Sequence, residues 1–163
     1  MKKFIFCLVL LFTSPFIFSE EIRIYRGDST YSSDCVATFY KNKLYRGNST
    51  YSSNCIATFY NNKIYKGEST YSSDCVATFY KGKLYKKDST YSSDCIATIY
   101  QSKFYKGEST YSSDCFLNYY QKKLHRKEST YSSDILFTFS KNVKNSPALL
   151  VWVVYKYFHI LFM

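Results

Sequence analysis

Apolar and polar residues alternate with a period of two in short runs along most of the chain. In one 20-residue stretch, residues 55–60 read CIATFY, residues 61–62 read NN, and residues 63–66 read KIYK. Two runs rich in β-branched and aromatic residues, separated by two turn-forming residues, predict a β-hairpin. No apolar spacing of three or four residues persists here, so the pattern does not predict a helix.

A two-residue turn fixes the register of the predicted hairpin. The predicted opposite pairs are Thr58 with Tyr65, Phe59 with Ile64, and Tyr60 with Lys63. Because side chains alternate between the two faces of a strand, the cysteine, alanine and phenylalanine of each unit are expected on one face and its tyrosines on the other. The predicted core therefore includes Cys35, Cys55, Cys75, Cys95, Cys115, Phe39, Phe59 and Phe79.

The same unit recurs along the chain. Ser-Thr-Tyr-Ser-Ser occurs six times with a fixed period of 20 residues, which indicates a repeat architecture. The first unit has only a return strand, near residues 22–25, and the last has only an outgoing strand, near residues 135–139. Pairing these two strands would remove both free edges. We therefore predict an all-β fold of six 20-residue β-hairpin repeats in a closed flower-like or propeller-like ring, with an open β-hairpin solenoid as the alternative.

Four units end their return strand with glycine, at positions 27, 47, 67 and 107. Glycine readily adopts a positive φ angle, which suits the start of the polar connecting loop. Lys87 and Lys127 occupy the same position in two other units. From this replacement we expect a positive φ to be preferred there rather than required.

The repeat resembles the β-flower proteins, bacterial hairpin-repeat proteins in which each hairpin is a petal around a central axis. The resemblance lies in the motif Ile/Leu-Tyr-Lys/Arg-Gly-x-Ser-Thr-Tyr-Ser-Ser-Asp and in the strand-like run that follows it, and it spans about residues 22–140. It implies a ring of hairpins. It implies no activity, because the family has no defined activity to carry over.

The two ends of the chain depart from the repeat. Residues 1–19 combine two lysines, an apolar run and Ser19 just before a charged pair, which predicts a signal peptide and therefore export to the periplasm, the cell surface or the medium. Residues 20–142 form the predicted repeat domain. Residues 143–163 are an atypical apolar tail, short for a membrane-spanning helix, and are interpreted either as an interfacial anchor or as a degenerate extension.

The formal net charge of +10 favours anionic partners. The candidates are an envelope glycan, an anionic lipid or another envelope protein. Nucleic acid is disfavoured, because the basic residues are spread over the units and the chain is predicted to be exported.

The repeated residues predict no catalytic site, cofactor or metal. Each repeat cysteine is interpreted first as a small core residue, then as half of a disulfide between neighbouring units, and last as part of a thiolate ring for a metal. The aspartate after each Ser-Ser is interpreted as setting a turn, ahead of a calcium-binding ring. Catalysis needs an unrepeated polar residue in a particular place, and neither histidine qualifies.

Tyrosine and its basic neighbour are the best candidates for binding, since aromatic faces beside cations suit sugars and anionic groups. Tyrosines also recur in the connecting loops, from Tyr31 to Tyr131. The predicted function is a non-catalytic binding or structural module of the cell envelope, and the alternative is a membrane-associated protein held by its cationic surface and apolar tail. The favoured binding surface comprises Tyr25, Tyr45, Tyr65, Tyr85, Tyr105, Arg46, Lys66, Lys86 and Lys106.

Overall fold

The computed structural model describes residues 20–158, so the predicted signal peptide lies outside the described residues. These residues form twelve strands, six short 3-10 turns and one helix. The strands are β1 (Ile22–Arg26), β2 (Cys35–Tyr40), β3 (Lys43–Arg46), β4 (Cys55–Tyr60), β5 (Lys63–Lys66), β6 (Cys75–Tyr80), β7 (Lys83–Lys86), β8 (Cys95–Tyr100), β9 (Lys103–Lys106), β10 (Cys115–Tyr120), β11 (Lys123–Arg126) and β12 (Ile135–Phe139). The helix, α1, is Pro147–Tyr157.

All twelve strands pair with their neighbours in a single closed antiparallel barrel. The barrel is closed by β1, which pairs with β12 on one side and with β2 on the other. The first and last strands therefore form the sixth hairpin, as the unpaired end strands predicted. The closed ring of six hairpins is confirmed, and the open solenoid is wrong.

The two-residue turns have the predicted register. In the second hairpin Thr58 lies opposite Tyr65, and Phe59 lies opposite Ile64. Both residues of each turn have positive φ angles, for example 47° at Asn61 and 59° at Asn62. Two successive positive φ angles characterise the type I′ turn, whose twist matches that of the strands it joins. We call the rim of the barrel that carries these turns the turn end.

The Ser-Thr-Tyr-Ser-Ser loops join the hairpins at the opposite rim, which we call the loop end. In the first loop the Ser29 hydroxyl donates a 2.6 Å hydrogen bond to Asp34, and the Tyr31 amide donates to Ser29 Oγ. In the second loop Asn54 replaces the aspartate and donates to Ser49 Oγ instead. The aspartates thus hold the fold of their own loops, as the turn-setting interpretation predicted.

Each loop begins with a residue in the left-handed region, whether or not it is glycine. The φ angle is 60° at Gly67, 52° at Lys87 and 54° at Lys127. In five of the six loops a strand threonine donates a hydrogen bond to the carbonyl oxygen of this residue, as Thr78 does to Lys87 over 2.8 Å. The expectation that positive φ is merely preferred here is wrong, because the two lysines adopt it as the glycines do.

A β-bulge in each unit changes the predicted distribution of side chains. Ile64 pairs with Ala77, but the next residue, Tyr65, pairs with Cys75, so Val76 is an extra residue in its strand. One extra residue moves the side chains that precede it in the strand to the opposite face of the sheet. The cysteine therefore lies on the outer face with the tyrosine, while Val76 packs against the core. The prediction that the cysteines share the core face with alanine and phenylalanine is wrong.

The predicted core phenylalanines lie on the inner face. Phe39 is fully buried, whereas Phe59 and Phe79 are partly buried and pack against the core. The same hydrophobic core takes in alanine, leucine and isoleucine side chains from around the barrel together with most of α1.

Helix α1 fills the lumen of the barrel. Every side chain from residue 148 to residue 154 is at most 6% exposed, so no face of this part of the helix meets solvent. Its contacts are spread around the wall, since Leu149 and Leu150 line a small cavity with Phe79 of β6 and Phe104 of β9. Trp152 packs edge-on against Phe137 of β12 at 4.9 Å, and Phe158, just after the helix, packs against Phe116 of β10 at 5.9 Å. A helix that is apolar all round is a buried helix, and here the barrel buries it.

The size of the ring explains why a helix fits. Twelve strands about 4.8 Å apart give a backbone diameter of about 18 Å, and strand tilt widens it further. A helix with its side chains is about 10–12 Å across. The remaining width suits small wall residues such as Ala57 and Ala77, which are fully buried. Residues 148–154 of the tail are thus neither an interfacial anchor nor a degenerate extension, because their side chains form part of the core.

The segment before α1 crosses the turn end and is tied to the fifth hairpin. The Tyr119 hydroxyl accepts a 2.8 Å hydrogen bond from the Val143 amide and donates a 3.1 Å bond to Asn142 Oδ1. Other hairpins have phenylalanine or isoleucine at this position, with no hydroxyl to offer. Helix α1 therefore enters the lumen at the turn end and finishes at the loop end.

Candidate functional site at the loop end

The strand tyrosines predicted to bind are buried. Tyr45, Tyr65 and Tyr85 are only 5–6% exposed, and Tyr25 and Tyr105 are equally covered. The loops fold back over the outer face and cover them, and burial raises the pKa of Tyr45 and Tyr65. The tyrosine part of the predicted binding surface is therefore wrong. These side chains pack between neighbouring hairpins.

A ring of ion pairs holds five of the six loops against the return strand of a neighbouring hairpin. Lys43 contacts Glu68 at 2.7 Å, and Lys83 contacts Glu108 at 2.7 Å. The ring also spans the closure, where Lys123 contacts Asp28 at 2.6 Å. The lysine lowers the pKa of the Glu108 carboxyl, chiefly by donating a hydrogen bond to it.

One junction lacks this ion pair. At the loop position that is acidic in the other five units, the second unit has Asn48. The basic residue that would meet it, Arg23, instead contacts Glu21 at 2.6 Å. The seam between β1 and β2 is therefore the one junction of the described barrel without a lysine–carboxylate bridge.

The five repeat cysteines lie one per hairpin as free thiols. Successive cysteines are on strands separated by a third strand, which places them about 9–10 Å apart, beyond the roughly 7 Å reach of a disulfide. Burial raises the pKa of the Cys55, Cys75, Cys95 and Cys115 thiols, so they are held as poor nucleophiles. This geometry excludes the predicted alternative of a disulfide between neighbouring units.

The exposed aromatic side chains are in the loops. One tyrosine per loop is 76–78% exposed, far more than any other large apolar side chain of the described residues. We call this set the loop tyrosines: Tyr31, Tyr51, Tyr71, Tyr91, Tyr111 and Tyr131. The strand tyrosines were favoured from the sequence instead. The signal that could have identified the loop tyrosines is their place in a polar connecting segment, because connecting segments run over the surface.

The last residue of each return strand is a cation that points into the mouth of the barrel at the loop end. Lys66 pairs with Ala57, and Lys86 with Ala77, and paired residues share a face. The alanines line the lumen, so the cations lie on the lumen side, yet they are exposed because they stand at the rim. We call this set the mouth ring: Arg26, Arg46, Lys66, Lys86, Lys106 and Arg126.

The end of α1 lies inside the mouth ring. Tyr155 lines an open groove of about 360 Å³ together with Arg46 and Lys66. Desolvation raises the pKa of Tyr157 to about 12, and the charge of nearby Arg126 opposes this rise. The cationic residues of the predicted binding surface, Arg46, Lys66, Lys86 and Lys106, are therefore brought together around one opening.

Grooves between successive loops join the mouth ring to the serines that follow the loop tyrosines in sequence. One groove of about 650 Å³ is lined by Lys86 and Asp94 and by Ser72 and Ser73, which follow Tyr71. The groove that contains Lys66 is lined by Ser53, the equivalent of Ser73, and by Asn54. The repeat thus presents the same hydroxyl, cation and aromatic groups at successive positions around the loop end.

No acid–base or metal constellation accompanies these groups in residues 20–158. No three His, Cys, Asp or Glu side chains there are placed to hold a metal ion. His125 replaces a strand tyrosine and is only 2% exposed, so it is a packed residue of the wall. In the same range no helix has both the length and the apolarity needed to cross a bilayer.

Comparison with known proteins gives a match that covers all twelve strands of the barrel. A protein-family model described as a 6-fold beta flower protein matches residues 21–152. The match begins at the first strand and extends into α1, so it includes the crossing segment and part of the lumen helix. No curated protein and no solved structure matches the chain. With six hairpins closed into one ring and the match covering most of its length, the chain belongs to the 6-fold beta flower protein family.

Proposed function

We propose that this protein is an exported, non-catalytic binding module of the cell envelope that holds a glycan polymer at its loop end. The observation that carries the proposal is the set of loop tyrosines, six side chains at one repeat position that are each 76–78% exposed. Aromatic residues this exposed on an otherwise well-packed protein are typical of a surface that meets a partner. The predicted signal peptide supports export.

The chemistry of the loop end suits sugars. A tyrosine ring packs against the apolar face of a sugar and its hydroxyl bonds to the sugar oxygens. The adjacent serines of the grooves, such as Ser72 and Ser73, offer further hydroxyl groups, and Lys86 offers charge for anionic substituents. Each single contact is weak, but six equivalent sites on one polymer combine into useful avidity.

Sixfold repetition also supports a binding role over catalysis. Catalytic sites depend on a nucleophile, base or acid in a unique environment. In this barrel the exposed polar groups of the loop end recur from unit to unit, and the one histidine in the described residues, His125, is buried in the wall.

The alternative of a membrane protein held by its tail loses its main support. Residues 148–154, which an interfacial anchor would insert into lipid, are buried in the lumen. Exposed positive charge is left to attract a membrane, at the mouth ring and at turn-end lysines such as Lys41, and such attraction would weaken steeply with salt.

Co-sedimentation with isolated cell-wall and lipid fractions over a salt series tests the proposal. The test variant changes Tyr31, Tyr71 and Tyr111 to Ala. The matched control changes Tyr60, Tyr80 and Tyr100 to Ala, because these lie at the turn end and are also substantially exposed, by 47–54%. Both variants lose three tyrosines from exposed positions, so they differ mainly in which rim is altered.

We expect the wild type to bind the wall fraction at moderate salt, the loop-end variant to lose about tenfold or more in affinity, and the control to keep it, since several weak contacts multiply. Equal losses in both variants would overturn the choice of the loop end. Binding only to lipid, and only at low salt, would overturn the glycan proposal in favour of a general cationic surface.

A further inference from the structure

The barrel carries two complete rings of cations, and they differ in their partners. The first ring, at the start of each return strand, lies on the outer face, where Lys43, Lys63 and Lys83 each contact a carboxylate of the next hairpin at 2.7 Å. The second is the mouth ring. None of its six members forms an ion pair within residues 20–158.

The inward orientation of the mouth ring is expected to lower the stability of the barrel, because it directs like charges toward one another. The other lumen positions are apolar, and many of them are fully buried, such as Ala57, Ile64 and Leu84. Six like charges directed at one opening repel one another, and nothing in the fold of the wall requires them there. The ring of paired lysines shows that the same repeat supplies carboxylates where charge is to be neutralised within the protein.

The charges of the mouth ring act together. Neighbouring members are two strands apart, about 9–10 Å, which is close to the Debye length of about 8–10 Å at physiological salt. The C-terminal end of α1 offers a partial charge of about −0.5 to offset them. The Asp94 carboxylate also lines the groove that contains Lys86, but it forms no ion pair with a member of the ring. Lys156 adds a further cation near the mouth, with its Nζ 5.9 Å from the Phe137 ring, and Phe137 pairs with Arg26 of the mouth ring.

We propose that the mouth ring is a binding site for one compact anion that carries several phosphate groups. Three of its members are arginines, whose planar guanidinium groups bind phosphate oxygens in pairs, and three are lysines, which contribute point charges. A central ligand meets cations from several hairpins at once. A single carboxylate or sulfate would engage few of the six. This site shares the loop end and Lys86 with the proposed glycan contacts. It rests on the mouth ring, whereas the glycan contacts rest on the loop tyrosines, so different variants test the two proposals.

The site predicts one ligand per chain. Six cations that converge on a single mouth hold one anion, whereas six independent surface grooves would hold up to six. The phosphates could belong to a soluble molecule or to the head group of a lipid, and both present the same chemistry to the ring. Inorganic tripolyphosphate is the soluble probe, and vesicles that contain an anionic phospholipid are the membrane probe.

Calorimetric titration of the full chain with tripolyphosphate at low and at physiological ionic strength tests the proposal. The test variant changes Arg46, Lys86 and Arg126 to Gln. The matched control changes Lys41, Lys81 and Lys122 to Gln, three exposed lysines of the turn end, and so removes the same charge from the other rim. Thermal unfolding of both variants establishes that they are folded before titration.

We expect one tripolyphosphate per chain, about a tenfold or greater loss of affinity in the mouth variant, and less than about a twofold loss in the control. The loop-tyrosine variant should bind tripolyphosphate as the wild type does, even if it no longer sediments with the cell wall. Equal losses in the mouth and control variants, or more than one ligand per chain, would overturn the site. Binding to vesicles without binding to tripolyphosphate would also overturn it, since a flat anionic surface would then be the partner.

Discussion

The wall of the barrel and the helix in its lumen follow opposite rules. The wall is made of one unit used six times, and its register, turns and ion pairs recur in nearly every hairpin. The helix α1 occurs once and has no sixfold partner. A ring of twelve strands encloses a space that its own short side chains leave unfilled, and a single apolar helix completes the core. The repeat forms the barrel wall, and the unrepeated helix fills the lumen and completes the hydrophobic core.

The contrast is also visible in where the repeat deviates. The fifth hairpin departs most, with Asn118 in place of threonine, Tyr119 in place of phenylalanine, and His125 in place of tyrosine. Tyr119 is the residue that holds the segment leading to the helix. The fifth hairpin has thus diverged at a position that binds the segment leading to α1.

The largest effect on stability is expected from a charge placed on the helix inside the lumen. Val153→Asp buries a carboxylate at a fully covered position with no partner. We expect a loss of about 4 kcal/mol or more in the free energy of unfolding, measured by urea titration with circular dichroism. The control is Lys156→Asp, which introduces the same residue at an exposed site of the same helix. An unchanged midpoint for Val153→Asp would mean that α1 does not occupy the lumen.

A smaller effect is expected when the hydrogen bond between Tyr119 and the segment before α1 is removed. Tyr119→Phe removes the hydroxyl that accepts from the Val143 amide and leaves that buried donor unpaired. We expect a loss of about 1–2 kcal/mol and faster hydrogen exchange at Val143, as measured by NMR. Tyr120→Phe is the matched control, because Tyr120 is the neighbouring tyrosine but is 46% exposed. The role of this hydrogen bond would be discounted if the two variants exchanged alike.

The smallest expected effect concerns the wall alone. Lys87→Gly and Lys127→Gly place glycine at loop positions that already have positive φ angles of 52° and 54°. Relief of the left-handed strain outweighs the greater freedom of glycine in the unfolded chain, and we expect each change to stabilise the fold by up to about 1 kcal/mol in thermal unfolding. Lys86→Gly, one residue earlier in the strand, should instead destabilise it. Stabilisation by Lys86→Gly as well would contradict this account.

The sequence carried most of the information about the wall. A two-residue turn leaves only one register, so the pairing of Thr58 with Tyr65 followed from counting residues. Closure followed from the unmatched strands at the two ends of the repeat. Both are local or periodic properties, and the family resemblance pointed to the same ring.

The site was harder to predict because the face of the sheet on which a side chain lies depends on bulges elsewhere in the strand. The extra residue at each bulge, such as Val76, turned the cysteines outward, and nothing in the alternation marked it. The folding back of the loops then buried the strand tyrosines and left the loop tyrosines exposed. The ion pair between Lys43 and Glu68 joins residues 25 apart, a contact that depends on this folding back.

By itself the sequence determined the repeat, its hairpins, their register and the number of units in the ring, because each depends on neighbouring residues or on a fixed period. Only the tertiary structure decided where the apolar tail belongs and which tyrosines and cations meet solvent. The lumen that receives α1 does not exist until all twelve strands have closed, and the mouth ring converges only when six distant return strands share one rim. Those features arise from the geometry of the closed ring, which no single unit contains.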